Sequence, residues 1–316
     1  MTRHVTRGLA AIFILSLFSF LPSRGFAQAD SLKIRIKQIS KAAKGDVGVA
    51  LMLLDNREAI MVNGNKHYPM QSVYKFPLAM AILDMAEREV ISLDDEILIE
   101  KKDLVKKTWS PIRDKYPEGN VRMKIRDIMS YTVSQSDNIG CDILFRIAGG
   151  PQKVQEYIHS IGVNEIAIAA TEAQMAANWE VQYSNWTEPA AMLQLLDILY
   201  QRKVISEANS NLLIEMMTET STGPNRIKGL LPAKTVVAHK TGSSGANAQG
   251  LTGATNDVGV ITLPNGRQLA IAIFISKSTA SEKTQEEVIA KISKAAWDFY
   301  AEENTPKPKM VGLPGR

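Results

Sequence analysis

The sequence predicts an α/β fold of the α+β type, in which an antiparallel sheet built from both ends of the chain is flanked by helices and encloses an inserted helical region. Apolar residues alternate as in β-strands near the N-terminus and again after residue 235. Between them, from Ser92 to Ala208, the apolar residues mostly recur at helical spacing. Because strand patterns at both ends bracket a helical middle, we expect the two ends to share one sheet.

This pattern gives a division of the chain into segments. We predict an α/β domain from residues 28–70 and 218–303, and an inserted helical domain from residues 71–217. Residues 1–27 are predicted to be a signal peptide. Residues 304–316 are rich in proline, glycine and lysine, and we expect them to be disordered.

The N-terminal elements follow from short apolar patterns. Ser31–Lys44 has helical spacing, Asp46–Leu54 alternates as a strand, and Ala59–Val62 is expected to pair back with that strand after a turn. The next helix is predicted to begin at Ser72 and end near Glu89. Pro77 lies inside it, so we expect one lost backbone hydrogen bond and a bend in the first turns.

The later elements are predicted in the same way. Turn signals at Pro111, Pro117–Gly119 and Gly149–Pro151 break the helical middle, and Thr187 is expected to cap a marked amphipathic helix. The remaining helices and strands are predicted at Thr187–Tyr200, Ser206–Met217, Thr235–His239, Asp257–Leu263, Gln268–Ser276 and Thr284–Tyr300. Pro264–Gly266 is predicted to form the hairpin turn before the last strand.

The composition is that of an ordinary globular protein. Hydrophobic residues make up 45% and charged residues 22% of the 316 residues. The net charge of +4 includes Arg3, Arg7 and Arg24, and without them 34 basic residues face 33 acidic ones, which supports no nucleic-acid or membrane-surface partner. The only cysteine, Cys141, excludes an intrachain disulfide and is expected to be buried as a small hydrophobe.

The first residues resemble a cleavable secretory signal. Two arginines precede the short apolar run Leu9–Leu21, and small residues suited to cleavage follow at Gly25–Ala27 or Ala27–Ala29. The apolar run is too short to span a bilayer comfortably. We therefore expect a periplasmic or secreted protein without a membrane attachment after cleavage, with an uncleaved anchor as the alternative.

The stretch Pro69–Pro77 carries the first chemical signal, a serine and a lysine three residues apart. On a helix this spacing places Ser72 and Lys75 on one face, one turn apart. Serine is a poor nucleophile until a neighbouring base accepts its proton, and a lysine in a suitable environment can be that base. A lone S-x-x-K pattern is weak, because Ser72 can equally be a helix cap and Lys75 a solvated side chain.

Two further short motifs follow in the chain. Ser136-Asp137-Asn138 places a hydroxyl that can pass a proton beside an amide that can hold a substrate amide, although a turn or helix cap is the common alternative. Lys240-Thr241-Gly242 follows a predicted strand and suits an anionic group such as a carboxylate. A lysine that prevents aggregation at a sheet edge is the alternative for Lys240.

Together the three motifs, in this order, are the set found in class A β-lactamases and penicillin-binding proteins. The chain resembles a class A serine β-lactamase over nearly all of its mature length, with a β-lactamase/transpeptidase-like fold. Three segments, Thr171–Met175, Thr222–Arg226 and Ala238–Gly242, resemble the extended-spectrum branch that contains the PER and VEB types.

The resemblance implies a role for each matching residue. These are nucleophile for Ser72, base for Lys75, proton relay for Ser136, binding of the acylamide side chain for Asn138, and binding of the substrate carboxylate for Lys240 and Thr241. It also implies an oxyanion hole made by the backbone N–H groups of Ser72 and Ser243, where each donor is typically worth about 3 kcal/mol in the transition state.

The resemblance implies that Glu172 activates the water that releases the acylated serine. The alternative for an arbitrary loop glutamate is a solvated side chain. Many family members carry an asparagine four residues after this glutamate, where this chain has Ala176. We therefore expect Gln174, Asn178 or backbone groups to help position the water, or a different fold of the loop.

Three further features are candidates for substrate binding. Arg226 would replace an arginine that many class A enzymes place after K-T-G, with a surface arginine as the alternative. Trp109 could stack on substrate at the cleft edge or could be a packing aromatic. The loop Ala246–Gly253 is small and polar and could widen the cleft for bulky cephalosporins.

The predicted function is hydrolysis of penicillins and cephalosporins by a monomeric enzyme that confers antibiotic resistance. No cofactor is expected, because the four histidines show no metal-ligand spacing in the sequence and no glycine-rich phosphate motif is present. A D-alanyl-D-alanine peptidase shares the three motifs but lacks the deacylating glutamate. A β-lactam sensor that stays acylated is the alternative from a different class.

Overall fold

A computed structural model describes residues 24–302 of the protein. Within that range the strands are β1 (Asp46–Leu53), β2 (Ala59–Val62), β3 (Tyr68–Pro69), β4 (Glu96–Ile99), β5 (Val121–Lys124), β6 (Ile166–Ala167), β7 (Trp186–Thr187), β8 (Val237–Ser243), β9 (Thr252–Thr262) and β10 (Gln268–Ser278). The α-helices are α1 (Arg24–Ser40), α2 (Lys75–Glu87), α3 (Pro111–Lys115), α4 (Ile125–Ser134), α5 (Asn138–Ile147), α6 (Pro151–Ser160), α7 (Glu172–Ala177), α8 (Pro189–Gln201), α9 (Glu207–Thr218) and α10 (Glu282–Glu302).

The main sheet has five strands in the order β2-β1-β10-β9-β8, and its paired strands are antiparallel. The N-terminal β1 pairs with the C-terminal β10 from Asp46 opposite Ser276 to Leu53 opposite Leu269. The predicted fold class, one antiparallel sheet built from both ends of the chain, is therefore confirmed.

The two faces of this sheet pack against different helices. Val49 and Leu51 of β1 join an apolar cluster with residues of α1 and α10. Ala50 and Met52, which alternate with them, join the cluster formed with α2 and the helices between α2 and α9. Because both faces are covered, β1, β9 and β10 are buried along nearly their whole length, and the sheet is a rigid base for residues at its edge.

The α-helix that was predicted to begin at Ser72 begins three residues later. Residues Gln71–Tyr74 form a 3₁₀ turn, and the α-helix begins at Lys75. Pro77 is therefore in the first turn of α2, where backbone N–H groups have no partner within an α-helix. The prediction that Pro77 removes a hydrogen bond from this helix is wrong for that reason.

Other expectations are corrected by the observed elements. Thr187 does not cap a helix, because it lies in β7 and the position before α8 is Glu188. Pro111 begins α3 instead of breaking a helix. Lys240-Thr241-Gly242 lies inside β8, which continues to Ser243, four residues beyond the predicted strand end. The prediction that Cys141 is buried is confirmed.

Apart from β2, the strands of two to four residues were not predicted, because such strands are too short to show clear alternation. β4 pairs with β5, and β3, β7 and β6 form a separate three-stranded sheet. The division into domains of residues 28–70 with 218–303 and 71–217 stays a prediction. The expectations for most of the signal peptide and for the tail 304–316 lie outside the described residues. Among residues 24–302, none of the helices has the length and apolar character needed to cross a bilayer.

Candidate active site

The two side chains of the S-x-x-K pair are in direct contact. Lys75 Nζ is 3.0 Å from Ser72 Oγ, so one turn of 3₁₀ geometry brings them into hydrogen-bond range. Lys75 is fully buried, and its Nζ also contacts the backbone oxygen of Ser136 at 2.8 Å and Oδ1 of Asn138. Glu172 Oε1 lies 3.0 Å from the same Nζ. One buried lysine therefore contacts all the other candidate catalytic residues.

The S-D-N motif is a tight connection between α4 and α5. Its central residue has a structural role, because the buried carboxylate of Asp137 accepts hydrogen bonds from Gly140 N, Ile112 N and Ser110 Oγ. Ser136 has a φ of 58°, a left-handed conformation rarely adopted by a non-glycine residue. The hydrogen bonds to Asp137 hold the turn, and the hydroxyl of Ser136 lies between the side chains of Lys75 and Lys240.

The K-T-G motif approaches from the open edge of the main sheet. Lys240 Nζ donates to Ser136 Oγ at 2.9 Å and to Thr241 O at 3.1 Å. Lys240 is fully buried, which excludes the alternative of a solvated edge lysine. Burial, and next the charge of Lys75, hold the pKa of Lys240 well below its ordinary value.

The backbone of Ser243 also points to the cleft side. Ser244 N donates to Ala254 O of the neighbouring strand. In an antiparallel pair, the backbone N–H groups of successive residues point alternately towards the partner strand and away from it. Because β8 is the edge strand, the N–H of Ser243 faces away from β9 and is open to the cleft. Gly242 lies so close to the segment before Ser72 that a Cβ there would be 2.4 Å from Met70 O.

Glu172 is the first residue of α7, and its loop is held by two caps. Thr171 and Gln174 form a reciprocal capping box at the helix N-terminus. Asp142 of α5 accepts hydrogen bonds from Glu172 N at 2.8 Å and Ala173 N at 3.0 Å. Gln174 is therefore engaged in a cap, and Asn178 caps the next turn through Glu180 N. Asp142 and the capping box hold Glu172 in place, and the expectation that Gln174, Asn178 or backbone groups position the water stays a prediction.

Asp142 is a residue that sequence reasoning missed. The available signal was an acid in the otherwise apolar stretch of α5, one turn after Asn138. Burial raises the pKa of its carboxyl to about 6, against the lowering effect of the two N–H groups that it accepts.

We expect Asp142→Asn to change the pH dependence of stability. With a folded-state pKa of about 6 and an ordinary value of 3.8, the folded protein keeps this proton over a range in which the unfolded chain has lost it. Stability from this group therefore falls as pH rises from about 4 to about 6. In urea unfolding across this range, the free energy of unfolding of the parent should fall relative to that of Asp142→Asn. A constant difference between the two proteins would contradict the assignment.

Arg226 and Trp109 differ in their surroundings. Arg226 is buried, pairs with Glu286 at 3.1 Å and donates to Ser243 Oγ at 2.7 Å, so the alternative of a surface arginine is wrong. Trp109 is 59% exposed, so it is not a packing aromatic, and its indole N–H donates to Gln135 O. Arg226 thus lies behind the end of β8, and Trp109 stands at the mouth of the cleft.

The cleft encloses about 270 Å³, and its walls include Gln71, Trp109, Asn138, Glu172 and Ser243. Thr241 Oγ1 lies 2.5 Å from Thr222 Oγ1 at one side. Direct contacts thus join Ser72, Lys75, Ser136, Asn138, Glu172 and Lys240, which come from the three motifs and the Glu172 segment. This arrangement, a serine hydroxyl beside a buried lysine and a carboxylate, is suited to acyl transfer followed by hydrolysis.

Two amides near the nucleophile were also missed. Asn256 is fully buried, donates to Pro69 O and Met70 O, and accepts from Ile275 N, so it joins the main sheet to the segment before Ser72. Gln71 has a φ of 47° and donates to Gln182 Oε1 at 2.8 Å. Neither belongs to a short motif, so the sequence alone gave no reason to select them.

Comparison with known proteins agrees with this geometry. A sequence model described as the β-lactamase enzyme family matches residues 31–300. The chain is 42% identical over 291 residues to β-lactamase VEB-1 of Pseudomonas aeruginosa, an alignment that covers 92% of this chain and 96% of VEB-1. It is 40% identical over 295 residues to extended-spectrum β-lactamase PER-1 of the same organism, covering 93% and 96%. This chain belongs to the class A β-lactamase family.

A solved structure agrees as well. The crystal structure of TLA-1 extended-spectrum β-lactamase matches with a TM-score of 0.85 and 50% identity, covering 87% of this chain and 99% of TLA-1. The reaction of this β-lactamase is the hydrolysis of β-lactams, and the family membership decides against the peptidase and the sensor considered from the sequence.

Proposed function

We propose that this β-lactamase acts through an acyl-enzyme on Ser72, which a water activated by Glu172 then hydrolyses. The observation that carries the proposal is the position of Lys75 Nζ, 3.0 Å from both Ser72 Oγ and Glu172 Oε1. The nucleophile Ser72 and the carboxylate of Glu172 both contact the buried base Lys75. That is the minimum set for forming an ester and then breaking it.

In the acylation step, the neutral amine of Lys75 accepts the proton of Ser72 Oγ and becomes the ammonium as the oxygen attacks the lactam carbonyl carbon. The oxyanion is held by the N–H groups of Ser72 and Ser243, and the open edge position of Ser243 N supports this role. When the C–N bond of the ring breaks, Ser136 Oγ delivers a proton to the nitrogen. Its hydroxyl lies 3.5 Å from Lys75 Nζ and 2.9 Å from Lys240 Nζ, so a proton can be passed on to it.

In the deacylation step, Glu172 takes a proton from water, and the resulting hydroxide attacks the ester carbonyl of acylated Ser72. The ester C–O bond breaks, and the proton that Glu172 took from water returns to Ser72 Oγ through Lys75 Nζ, which contacts both groups. Asn138 is proposed to bind the acylamide side chain, and its Nδ2 is already oriented by Thr108 Oγ1 at 2.8 Å. Lys240, Thr241 and Ser243 are proposed to bind the substrate carboxylate, with Arg226 acting on Ser243 from behind.

The direct test is turnover of a chromogenic cephalosporin by the purified protein, with Ser72→Ala as the comparison. The parent should turn over the drug, and rapid quenching should show one drug adduct whose mass maps to Ser72. The Ser72→Ala protein should show no adduct and no turnover above background. An adduct on another residue, or turnover that survives in Ser72→Ala, would overturn the assignment of the nucleophile.

We expect the lowered pKa of Lys240 to appear as an alkaline limb. A carboxylate is bound by the protonated ammonium, so kcat/KM should fall as pH rises past the folded-state pKa. This fall should come below the ordinary range of a lysine, about 10.4, because burial disfavours the charge. Lys240→Arg, whose guanidinium stays charged, should move the limb upward, whereas Lys106→Arg at an exposed site should not. A limb that is identical in all three proteins would refute this origin.

We propose that the spectrum includes bulky cephalosporins. Support comes from the names of PER-1 and TLA-1, both described as extended-spectrum enzymes, and from the loop between β8 and β9. The loop is residues 244–251. It begins and ends two residues earlier than the predicted Ala246–Gly253, because β8 ends at Ser243 and Thr252 and Gly253 belong to β9. Asn247 Oδ1 closes it by accepting from Gln249 N and Leu251 N.

Ser243 and Ser244 at the base of this loop line the cleft opposite the exposed Trp109. Replacing residues 245–250 with a two-residue turn should lower kcat/KM for oxyimino-cephalosporins more than for benzylpenicillin. An equal effect on both substrates would remove the loop as a determinant of spectrum.

We also propose that the enzyme acts after export, as a monomer, with a small-molecule β-lactam as its only partner. The near-neutral balance of charges after the signal region supports the absence of a nucleic-acid partner. N-terminal sequencing of the exported protein and light scattering of the purified protein test these two points. A retained N-terminus or a dimeric mass would contradict them.

A further inference from the structure

A cluster of three side chains lies on the three-stranded sheet, outside the cleft. His67 Nε2 is 3.8 Å from Glu165 Oε2 and 3.9 Å from Glu188 Oε1, and one ligand atom from each residue lies within 4.8 Å of the others. No ligand spacing in the sequence indicates this cluster, because His67 is far along the chain from both glutamates.

The cluster follows from the register of the strands. Thr187 of β7 is opposite both Tyr68 of β3 and Ile166 of β6. The residue next to each of these is a member of the cluster, so the three side chains are cross-strand neighbours at one end of the sheet. A backbone hydrogen bond from Glu188 N to Glu165 O, at 3.0 Å, extends the pairing of β6 and β7 to the glutamates themselves.

The imidazole is held in place by an aromatic ring. The rings of His67 and Trp186 are stacked with centroids 3.5 Å apart and an interplanar angle of 16°. This contact directs Nε2 towards the two carboxylates and reduces the freedom that binding a ligand would remove. His67 is 52% and Glu165 60% exposed at their side chains, so an ion in solution has a path to them.

The charges of the cluster are unbalanced. Two carboxylates face each other, and among residues 24–302 neither forms an ion pair with a lysine or arginine; His67 is the only basic side chain within 4.0 Å of them. One neutral imidazole nitrogen and two carboxylate oxygens are a ligand set that Zn²⁺ accepts, with water in the fourth position. Zinc bonds of about 2.0–2.2 Å place tetrahedral ligand atoms roughly 3.3–3.5 Å apart. His67 Nε2, at 3.8 and 3.9 Å from the two carboxylate oxygens, therefore needs to approach each by only about half an ångström, and the two oxygens, which lie within 4.8 Å of each other, close onto the ion by rotation of their exposed side chains.

We propose that His67, Glu165 and Glu188 bind one Zn²⁺ ion.

The position of this ion connects it to the loop that carries Glu172. Glu165 immediately precedes β6 and Glu188 immediately follows β7, so they lie at the two ends of residues 168–185, the loop that carries Glu172. His67 immediately precedes β3, five residues before Ser72. A bound ion therefore joins both ends of the Glu172 loop to the segment that leads to the nucleophile, and it stabilises the closed base of that loop.

Binding is tested by titrating the metal-free protein with ZnCl₂ in a calorimeter. The parent should bind one equivalent saturably. His67→Ala and Glu165→Gln should each weaken this binding at least tenfold, because each removes one of three ligands. Glu89→Gln, which removes an exposed charge outside the cluster, should bind as the parent does. Absence of saturable binding, or equal affinity in the parent and in His67→Ala, would overturn the proposal.

The consequence for the loop is tested by hydrogen exchange. Saturating Zn²⁺ should slow the exchange of the amides of residues 165–188 in the parent and should leave their exchange rates in His67→Ala unchanged. It should also raise the Tm of the parent but not that of His67→Ala. Binding without any change in exchange would refute the link to the loop. These readouts do not depend on turnover, so they are independent of the roles proposed for Ser72 and Glu172.

Discussion

Replacing Glu172 with glutamine is expected to give an enzyme that a cephalosporin acylates and that then stalls. Glutamine keeps the volume and the contact with Lys75, but it cannot accept a proton from water. General-base catalysis typically contributes roughly 10²–10⁴-fold, so deacylation should slow by a factor in that range. Acylation should be affected much less, because Ser72 Oγ is in direct contact with Lys75 Nζ at 3.0 Å.

Two measurements on the same samples separate the steps. Stopped-flow absorbance should show a burst of about one equivalent followed by slow turnover, and mass spectrometry should find the drug adduct on Ser72 throughout the slow phase. Glu180→Gln, at an exposed position in the same loop, should retain parental turnover. A Glu172→Gln protein that stays free of adduct would mean that Glu172 is needed for acylation as well. Parental turnover in this variant would remove it from the mechanism.

The fold was predictable because its main elements have strong periodic patterns. Near the N-terminus, β1 shows a clear alternation of Val47, Val49, Leu51 and Leu53, and near the C-terminus α10 has an apolar stripe. These two patterns predict a strand at one end of the chain and, at the other end, a helix that packs on the same sheet. The elements that were missed lack such a pattern. β3, β6 and β7 have two residues each, and their pairing depends on tertiary contacts that no local sequence signal records.

The candidate active site was predictable for a different reason. Residues proposed to contact the substrate, such as Ser72 and Lys240, occur in short motifs whose spacing is tied to one helical turn or one strand. Residues that only hold them occur singly. Asp142 and Asn256 form hydrogen bonds with backbone N–H and carbonyl groups. Every residue type except proline has both groups, so the sequence does not indicate which residue is the partner. Reasoning from motifs therefore finds the groups that react and misses the groups that position them.

The contacts of Lys75 predict a second large effect, in which acylation and not deacylation is slowed. Replacing Lys75 with methionine removes the base that contacts Ser72 Oγ while keeping most of the apolar stem. Acylation should slow by roughly 10²–10⁴-fold, and no adduct should accumulate on Ser72. Mass spectrometry after mixing with the cephalosporin thus separates the two variants, because Glu172→Gln is trapped with drug and Lys75→Met is not.

Loss of the lysine also affects stability, and this must be separated from its chemistry. The side chains of Lys75 and Glu172 are 0% and 8% exposed, and removing one partner of a buried ion pair costs about 3–5 kcal/mol because the other charge remains buried. The double variant Lys75→Met with Glu172→Gln removes both charges, so its Tm should recover towards that of the parent. Acylation should nevertheless stay as slow as in Lys75→Met. If acylation recovers together with Tm, the effect of Lys75 is structural, and the proton of Ser72 is accepted elsewhere.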